Sequence, residues 1–320
     1  MESRLKRIFW VITGNLLQWM LTNIPTDTEV LRKWLRAGYV ESRSWFATEA
    51  GTPQGGIISP ALANLTLDGL ERLLRERFRA AHSPGSHRGR TWHNPRVHLI
   101  RYADDFVITG RSREQLETEV RPLVEAFLRE RGLTLSPEKT KITHVREGFD
   151  FLGQHVRKRG DCLLIVPAKK NLHAFMERVR TTLRSNVGSA QEPLIRHLSL
   201  IIRGWANYHR HVAASKTFRK VDHEIWFNLW RWAKWRHPKK THGWIAKRYW
   251  RSVGGSNWAF AVKTGERTKS GKPMIVRLAL ATDTKIRRHI KIRSDANPFD
   301  PRCDRYFEER AFLKARGRKP

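Results

Sequence analysis

Apolar positions along this chain recur in two rhythms, and the change between them falls near residues 156–170. Before that boundary, short β-branched and aromatic runs alternate with amphipathic segments. Val97–Tyr102 and Phe106–Thr109 are two such runs, and the polar break between them predicts a hairpin with Asp104 and Asp105 at its tip or first pair. Ser59-Pro60 starts a helix whose apolar face is Ala63, Leu67, Leu70, Leu74 and Phe78. Ser112 with Gln115 makes a capping-box pattern, and Leu116, Val120, Leu123 and Phe127 follow at helical spacing up to Gly132. Nearer the start, residues 8–12 predict a strand, 15–22 a short helix, and Thr26 or Asp27 caps a helix running to Ala37. Trp45–Thr48, Leu133–Leu135, Thr140–His144 and Phe149–Leu152 predict further strands. The sum is an α+β layer, with helices packed on a small antiparallel sheet. From about Lys170 the strands give way to long basic helices over 170–186, 191–209, 217–236 and 241–251. Gly254–Lys272 reads as a loop, and one strand-like run starts at Met274.

Charge narrows the function classes. The chain carries 62 Lys+Arg against 30 Asp+Glu, a net charge of +32, and the excess lies mostly beyond Arg157. Such a surface repels itself unless it meets a polyanion, which makes nucleic acid the expected partner. An anionic membrane is the weaker alternative, because the basic half carries tryptophans suited to packing or stacking. Two distant cysteines, Cys162 and Cys303, support neither a disulfide framework nor a zinc site. The apolar stretch Leu5–Leu21 is interrupted by Thr13, Gly14, Asn15 and Gln18, too broken to span a bilayer or serve as a signal core. A reducing, cytoplasmic location is expected.

Four stretches suggest chemistry. Asp104 and Asp105 between two strands are either a solvated turn or a pair of hard oxygen ligands for Mg²⁺. Gly51-Thr52-Pro53-Gln54-Gly55-Gly56 is either a plain connection or a place where backbone approaches a nucleotide closely. Pro137-Glu138-Lys139-Thr140-Lys141 is either a charged turn or brings Lys139 near a triphosphate. Phe151-Leu152-Gly153 is either a strand with a glycine turn or a grip on a primer strand. Between 203 and 251, Arg203, Arg210, Lys234, Arg236 and other cations interleave with Trp205, Tyr208 and His209. Several tryptophans there serve the core, whereas the charges face outward together and predict salt-dependent RNA binding.

In this order the four stretches resemble the palm of group II intron reverse transcriptase/maturases. Ile202-Arg203-Gly204-Trp205-Ala206-Asn207-Tyr208-His209 is similar to that family's maturase, or thumb, signature. The resemblance implies an α+β reverse-transcriptase palm over 1–156 and an α-helical maturase domain over 170–252. A basic DNA/RNA-binding extension over 253–320 would follow. It implies Mg²⁺ held by Asp104 and Asp105, template or nucleotide contacts from Pro53, Gln54, Gly55 and Lys139, and a primer grip at Phe151, Leu152 and Gly153. Arg203, Trp205, Tyr208, His209, Arg210, Lys234 and Arg236 would meet intron RNA, with a DNA target or primer as second partner. The family's third catalytic aspartate is expected at about Arg7, where no acid stands. The fingers expected upstream and the nuclease expected downstream are also missing, so a fragment is expected. Polymerisation should then be impaired unless a companion chain supplies the fingers and the aspartate. The alternative is a non-catalytic maturase that only assists splicing.

Overall fold

A computed structural model describes residues 2–7, 22, 27, 29–30, 33, 39–41, 44–46, 59–79, 81–82, 92–267, 271, 273–287, 289, 292–293 and 296–316. The strand expected at 8–12, most of the helix over 15–22, and the loop holding Pro53, Gln54 and Gly55 lie outside these residues. Of the helix expected to follow, Asp27 is described. Its carboxylate accepts the N–H groups of Glu29 (2.8 Å) and Val30 (3.2 Å), the geometry of an N-cap.

The chain divides into two units, Met1–Phe151 with Val156–Leu163, and Leu152–His155 with Leu164–Pro320. The first holds β1 (Glu2–Arg7), a short hairpin of β2 (Tyr39–Glu41) and β3 (Ser44–Phe46), α1 (Ser59–Thr66) and α2 (Leu70–Arg77). A second small hairpin, β4 (Ala81–His82) with β5 (Trp92–His93), precedes β6 (His98–Tyr102) and β7 (Asp105–Gly110). Helix α3 (Arg121–Glu130) is entered through one α-turn at Arg113–Gln115 and a π-helical turn at Leu116–Val120. The main sheet has the order β1-β7-β6 and is antiparallel throughout. Phe106 and Ile108 on the central strand meet Leu67, Leu70 and Leu74 from the α1–α2 region and Val124, Phe127 and Leu128 from α3 in one core. Gly110 has a packing reason, since a Cβ there would sit 2.5 Å from the Leu116 side chain.

Three expectations need correction here. The single helix from Ser59 to Phe78 is two helices, because Gly69 takes a left-handed φ of 85° at the start of α2. Leu133–Leu135 forms no strand. Leu133 is buried and its N–H closes the end of α3 on Leu128 O (2.8 Å), so its backbone is already satisfied. Thr140–His144 likewise forms no strand, since the Thr140 N–H donates to Ser136 O in a turn (3.0 Å).

Strands β8 (Phe149–Phe151), β9 (Gln154–Arg159) and β10 (Cys162–Pro167) follow as a three-stranded sheet. The second unit is then built on α4 (Lys169–Ser185), α5 (Gln191–His209), α6 (Ser215–Arg236) and α7 (His242–Tyr249). Their core includes Phe175, Val179, Leu194, Leu198, Ile202, Phe218, Val221, Ile225 and Leu229. A sheet of β11 (Trp250–Val253), β12 (Ser256–Arg267) and β13 (Pro273–Arg277) packs on the same core through Trp250, Phe260 and Val276. The expected loop over Gly254–Lys272 is therefore a twelve-residue strand through most of its length. Its ends are polar, and only Phe260 and Ala261 on β12 are buried, so composition hides it. Asp222 ties the segment after β13 to α6, its carboxylate accepting from Ala281 N (2.6 Å), Thr282 N (3.0 Å) and the Thr282 hydroxyl (2.6 Å). Burial nevertheless raises its pKa. The tail ends in α8 (Asp304–Arg316). Cys162 is exposed and Cys303 buried, both as free thiols. Among the described residues no helix is long and apolar enough to cross a membrane.

Candidate active site and nucleic-acid interface

The acidic pair stands where the alternation of β6 and β7 puts it. Tyr102 pairs with Asp105, leaving Ala103 and Asp104 as a two-residue turn. Ala103 takes a left-handed φ of 51°, uncommon for a non-glycine residue and typical of a tight turn. Arg101 steadies the turn, donating from Nη1 to Ala103 O (3.1 Å) and to Asn64 Oδ1 on α1 (3.0 Å). Asp104 and Asp105 are half-buried, and Tyr102 beside them is exposed.

The other edge of β7 decides what this site can hold. On β1, Arg7 is the residue directly opposite Asp105. Residues opposite one another in an antiparallel pair project from the same face, with Cβ atoms about 5 Å apart. The register position paired with Asp105 is thus an arginine in sequence, where the family resemblance expects an acid. Among the described residues no group of three or more His, Cys, Asp and Glu is placed to hold a metal. Two neighbouring carboxylates suit one hard cation that also binds water and phosphate. Lys139, the expected phosphate contact, lies half-buried in the turn after Ser136.

The Phe151-Leu152-Gly153 stretch turns between β8 and β9. Leu152 (φ 48°) and Gly153 (φ 72°) both lie in the left-handed region, as a two-residue primed turn requires. Gly153 is also needed for space, since a Cβ would lie 3.0 Å from Asn171 Nδ2. This turn is clamped from the maturase-like signature. The Tyr208 hydroxyl donates to Leu152 O (2.5 Å), and Ala168 N donates to Gly153 O (3.0 Å). Asn171 Oδ1 accepts from Trp205 Nε1 (2.9 Å) and lies 2.8 Å from His209 Nε2. His209 Nδ1 lies 3.1 Å from the Gln154 side-chain amide. Burial lowers the His209 pKa to about 4, so the ring is neutral. Both ring nitrogens face side-chain oxygens, Asn171 Oδ1 and Gln154 Oε1, and the neutral ring donates its one N–H to one of them.

This network corrects three of the expected RNA contacts. His209 is wholly buried. Trp205 is half-buried and stacks on Phe175 at 4.5 Å. Arg236 is half-buried and donates to Val187 O (2.9 Å) and to Ser189 O. Their polar groups are used inside the unit, so all three position structure. Arg203, Tyr208 and Lys234 are exposed, and Arg210 is half-buried with Nη1 on Asn207 Oδ1 (3.3 Å). Sequence reasoning missed Asn171 and Gln154 altogether, since a lone amide carries no spacing signal.

The neutral histidine has a measurable consequence. Its pKa falls from about 6.5 in the unfolded chain to about 4 in the fold, so the stability it permits is intact above pH 6.5 and is lost as pH falls through that window. Chemical denaturation at pH 5 against pH 7 is expected to show about 2 kcal/mol of extra pH-linked destabilisation in the wild type compared with His209→Gln. Equal pH dependence in both proteins would contradict the neutral buried ring.

A basic groove also runs between α4 and α6. It is lined by Arg180, Arg184, Asn228, Arg231, Trp232 and Trp235. Glu177 pairs with Arg180 (3.2 Å) and Arg184 (2.8 Å), which holds its carboxyl below the usual range. Three guanidiniums against one carboxylate leave the groove net positive by two. Trp235, which lines the groove, is 70% exposed and so offers an indole face to a bound ligand. The signal was present in sequence, because Arg180 with Arg184 and Arg231 with Trp235 are both i, i+4 pairs that share a helix face.

Comparison with known proteins agrees with this division. Residues 5–156 match the family described as reverse transcriptase (RNA-dependent DNA polymerase), and residues 172–250 match the group II intron, maturase-specific domain. Fold and matches together define a reverse-transcriptase domain joined to a maturase domain. The chain carries both domains of the group II intron-encoded reverse transcriptase/maturases, the family to which it is similar. It is 36% identical to protein YkfC of Escherichia coli K12 over 150 residues, covering 41% of this chain and 39% of that protein. It is 27% identical to the group II intron-encoded protein LtrA of Lactococcus lactis subsp. cremoris over 178 residues, covering 41% and 30%. Against the putative COX1/OXI3 intron 2 protein of Saccharomyces cerevisiae the identity is 28% over 199 residues, covering 48% and 23%. The chain thus spans 39% or less of the length of these relatives. A telomerase structure from Candida albicans aligns over 76% of this chain and 49% of its own at 11% identity and a TM-score of 0.35, too distant a likeness to carry weight.

Proposed function

We propose that this chain is an intron-encoded reverse transcriptase/maturase that binds intron RNA through its second unit and is impaired in DNA synthesis. The observation that carries the reading is the register of Arg7 opposite Asp105. It supports a hairpin of two carboxylates whose paired strand carries an arginine where the resemblance calls for a third acid. Mg²⁺ is the expected ion for Asp104 and Asp105, together with phosphate oxygens of a bound nucleotide. Pro53, Gln54, Gly55 and Lys139 are proposed on the nucleotide and template side, and Phe151, Leu152 and Gly153 on the primer. A DNA primer or target is the proposed second partner, in a cytoplasmic setting.

On the RNA side, Arg203, Tyr208, Arg210 and Lys234 are proposed contacts, joined by Arg180, Arg184, Arg231 and Trp235. Structured RNA is met mainly through phosphates and shape, which a groove of guanidiniums beside an exposed indole suits. A companion chain offering the missing aspartate on a strand would have to displace β1, because β7 is already paired on both edges.

The test is protein-assisted splicing of a group II intron at Mg²⁺ too low for self-splicing. Asp104→Ala with Asp105→Ala is expected to leave the assistance within about twofold of wild type, since neither residue belongs to the proposed RNA interface. Loss of splicing in the double variant with RNA affinity unchanged would overturn the separation of the two roles.

A further inference from the structure

The second unit contains a cavity that neither family match explains. About 190 Å³ in volume, it lies between α6 and the β11–β13 sheet. Its floor is apolar, from Ile225, Leu229 and Leu278, and its aromatic wall is Trp226, Trp258 and Phe260. Part of the lining, from Val253 onward, falls beyond residues 172–250, so the maturase match does not assign it.

Trp258 is the informative residue. It is 53% exposed although it belongs to a cluster of four tryptophans. It meets Trp226 at 75° and Trp230 at 69°, so neither indole stacks on it, whereas Trp226 and Trp230 stack on each other at 7°. Arg277 also lines the cavity. Its guanidinium is held in place by Asp283 (3.0 Å) and by Leu278 O (3.2 Å). Asp283 is kept ionised by that contact, its pKa lowered despite partial burial. The cavity therefore combines an unstacked indole, an apolar floor and a polar end where the Arg277 guanidinium stands with the Asp222 and Asp283 carboxylates.

We propose that this cavity takes a single unpaired nucleobase of bound RNA, stacked on Trp258 with its polar edge toward Arg277 and the carboxylates beside it. The proposal rests on the RNA-binding reading above. Size supports it, because a cavity of about 150 Å³ holds a benzene ring, so this one admits one base and excludes a pair. The chain's net charge of +32 draws a polyanion to it, while the lining itself, one guanidinium beside two carboxylates, suits the donor-bearing edge of a base. Splayed, unstacked bases caught on aromatic side chains are the usual way that sequence in folded RNA becomes readable.

The experiment uses the full chain and three probes: a short single-stranded polyadenylate RNA, a strand of equal length lacking bases, and an RNA duplex of equal charge. Trp258→Ala is expected to weaken the polyadenylate complex about tenfold, the size of one base–aromatic stack. The abasic and duplex complexes should stay within about twofold, and Trp258→Phe should recover most of the loss. Photocrosslinking of bromouridine-substituted RNA to the wild type is a second readout that needs no truncation, and it should place an adduct on Trp258. Unchanged polyadenylate binding in Trp258→Ala, an equal loss for the duplex, or adducts confined to other residues would each overturn the pocket. Wild type that binds none of the three probes would overturn the RNA-binding reading itself. Normal salt-dependent binding that ignores both bases and Trp258 would overturn only the pocket.

Discussion

Arg7→Asp is expected to raise divalent-cation affinity at the acidic hairpin about a hundredfold at low ionic strength. The change moves the charge at position 7 by two units, and the usual cross-strand spacing of about 5 Å would set it roughly 6 Å from an ion held beside Asp105. Even at the dielectric of water, that is worth about 3 kcal/mol for a doubly charged ion. Calorimetric titration with Mg²⁺ or Mn²⁺ reads the affinity directly. The same substitution is expected to convert undetectable primer extension on an RNA template into measurable synthesis, since it restores an anionic ligand at the register position opposite Asp105. Arg7→Ala is the control and should recover only about half of the binding energy. Equal cation affinity in wild type and Arg7→Asp would show that β1 does not present residue 7 to the site.

RNA affinity of the wild type should fall about a thousandfold between 50 and 200 mM monovalent salt, as expected for six or more neutralised phosphates. Replacing Arg184 and Arg231 together with Ala should weaken binding at low salt and reduce the slope of log affinity against log salt by about two, one for each guanidinium withdrawn from a phosphate. Arg236→Ala should behave differently. Its guanidinium serves the backbone carbonyls of Val187 and Ser189, so its removal should lower thermal stability with little change in slope. Filter binding across a salt series separates these cases. A flat salt dependence, or an unchanged slope in the double variant, would remove the groove from the interface.

The two kinds of site were not equally legible. Asp104 and Asp105 could be placed at a hairpin because a polar break between two β-branched runs has few other solutions, and β6 and β7 adopt that register. The maturase-like cluster was found for its residue types, but its direction was hidden. At helical spacing Trp205 and His209 share one face of α5, and nothing in the letters says whether that face meets solvent or core. The fold turns it inward, onto Phe175, Asn171 and Gln154, while Arg203 and Tyr208 stay outside. Strand β12 was missed for a related reason, since its polar ends disguise the short apolar run that pairs it into a sheet.

The amino-acid order by itself determined the alternation of strand and helix signals, the change of character near residues 156–170, the acidic doublet and the cationic excess. These are local or additive properties, and each residue contributes to them wherever it ends up. Tertiary structure alone decided that Arg7 pairs with Asp105 in strand register, that Trp205, His209 and Arg236 serve the interior, and that Trp258 is left unstacked beside a cavity. Each of those facts is a pairing between residues far apart in the chain, set by strand register and by which helix faces share a core, and no short stretch of sequence contains it.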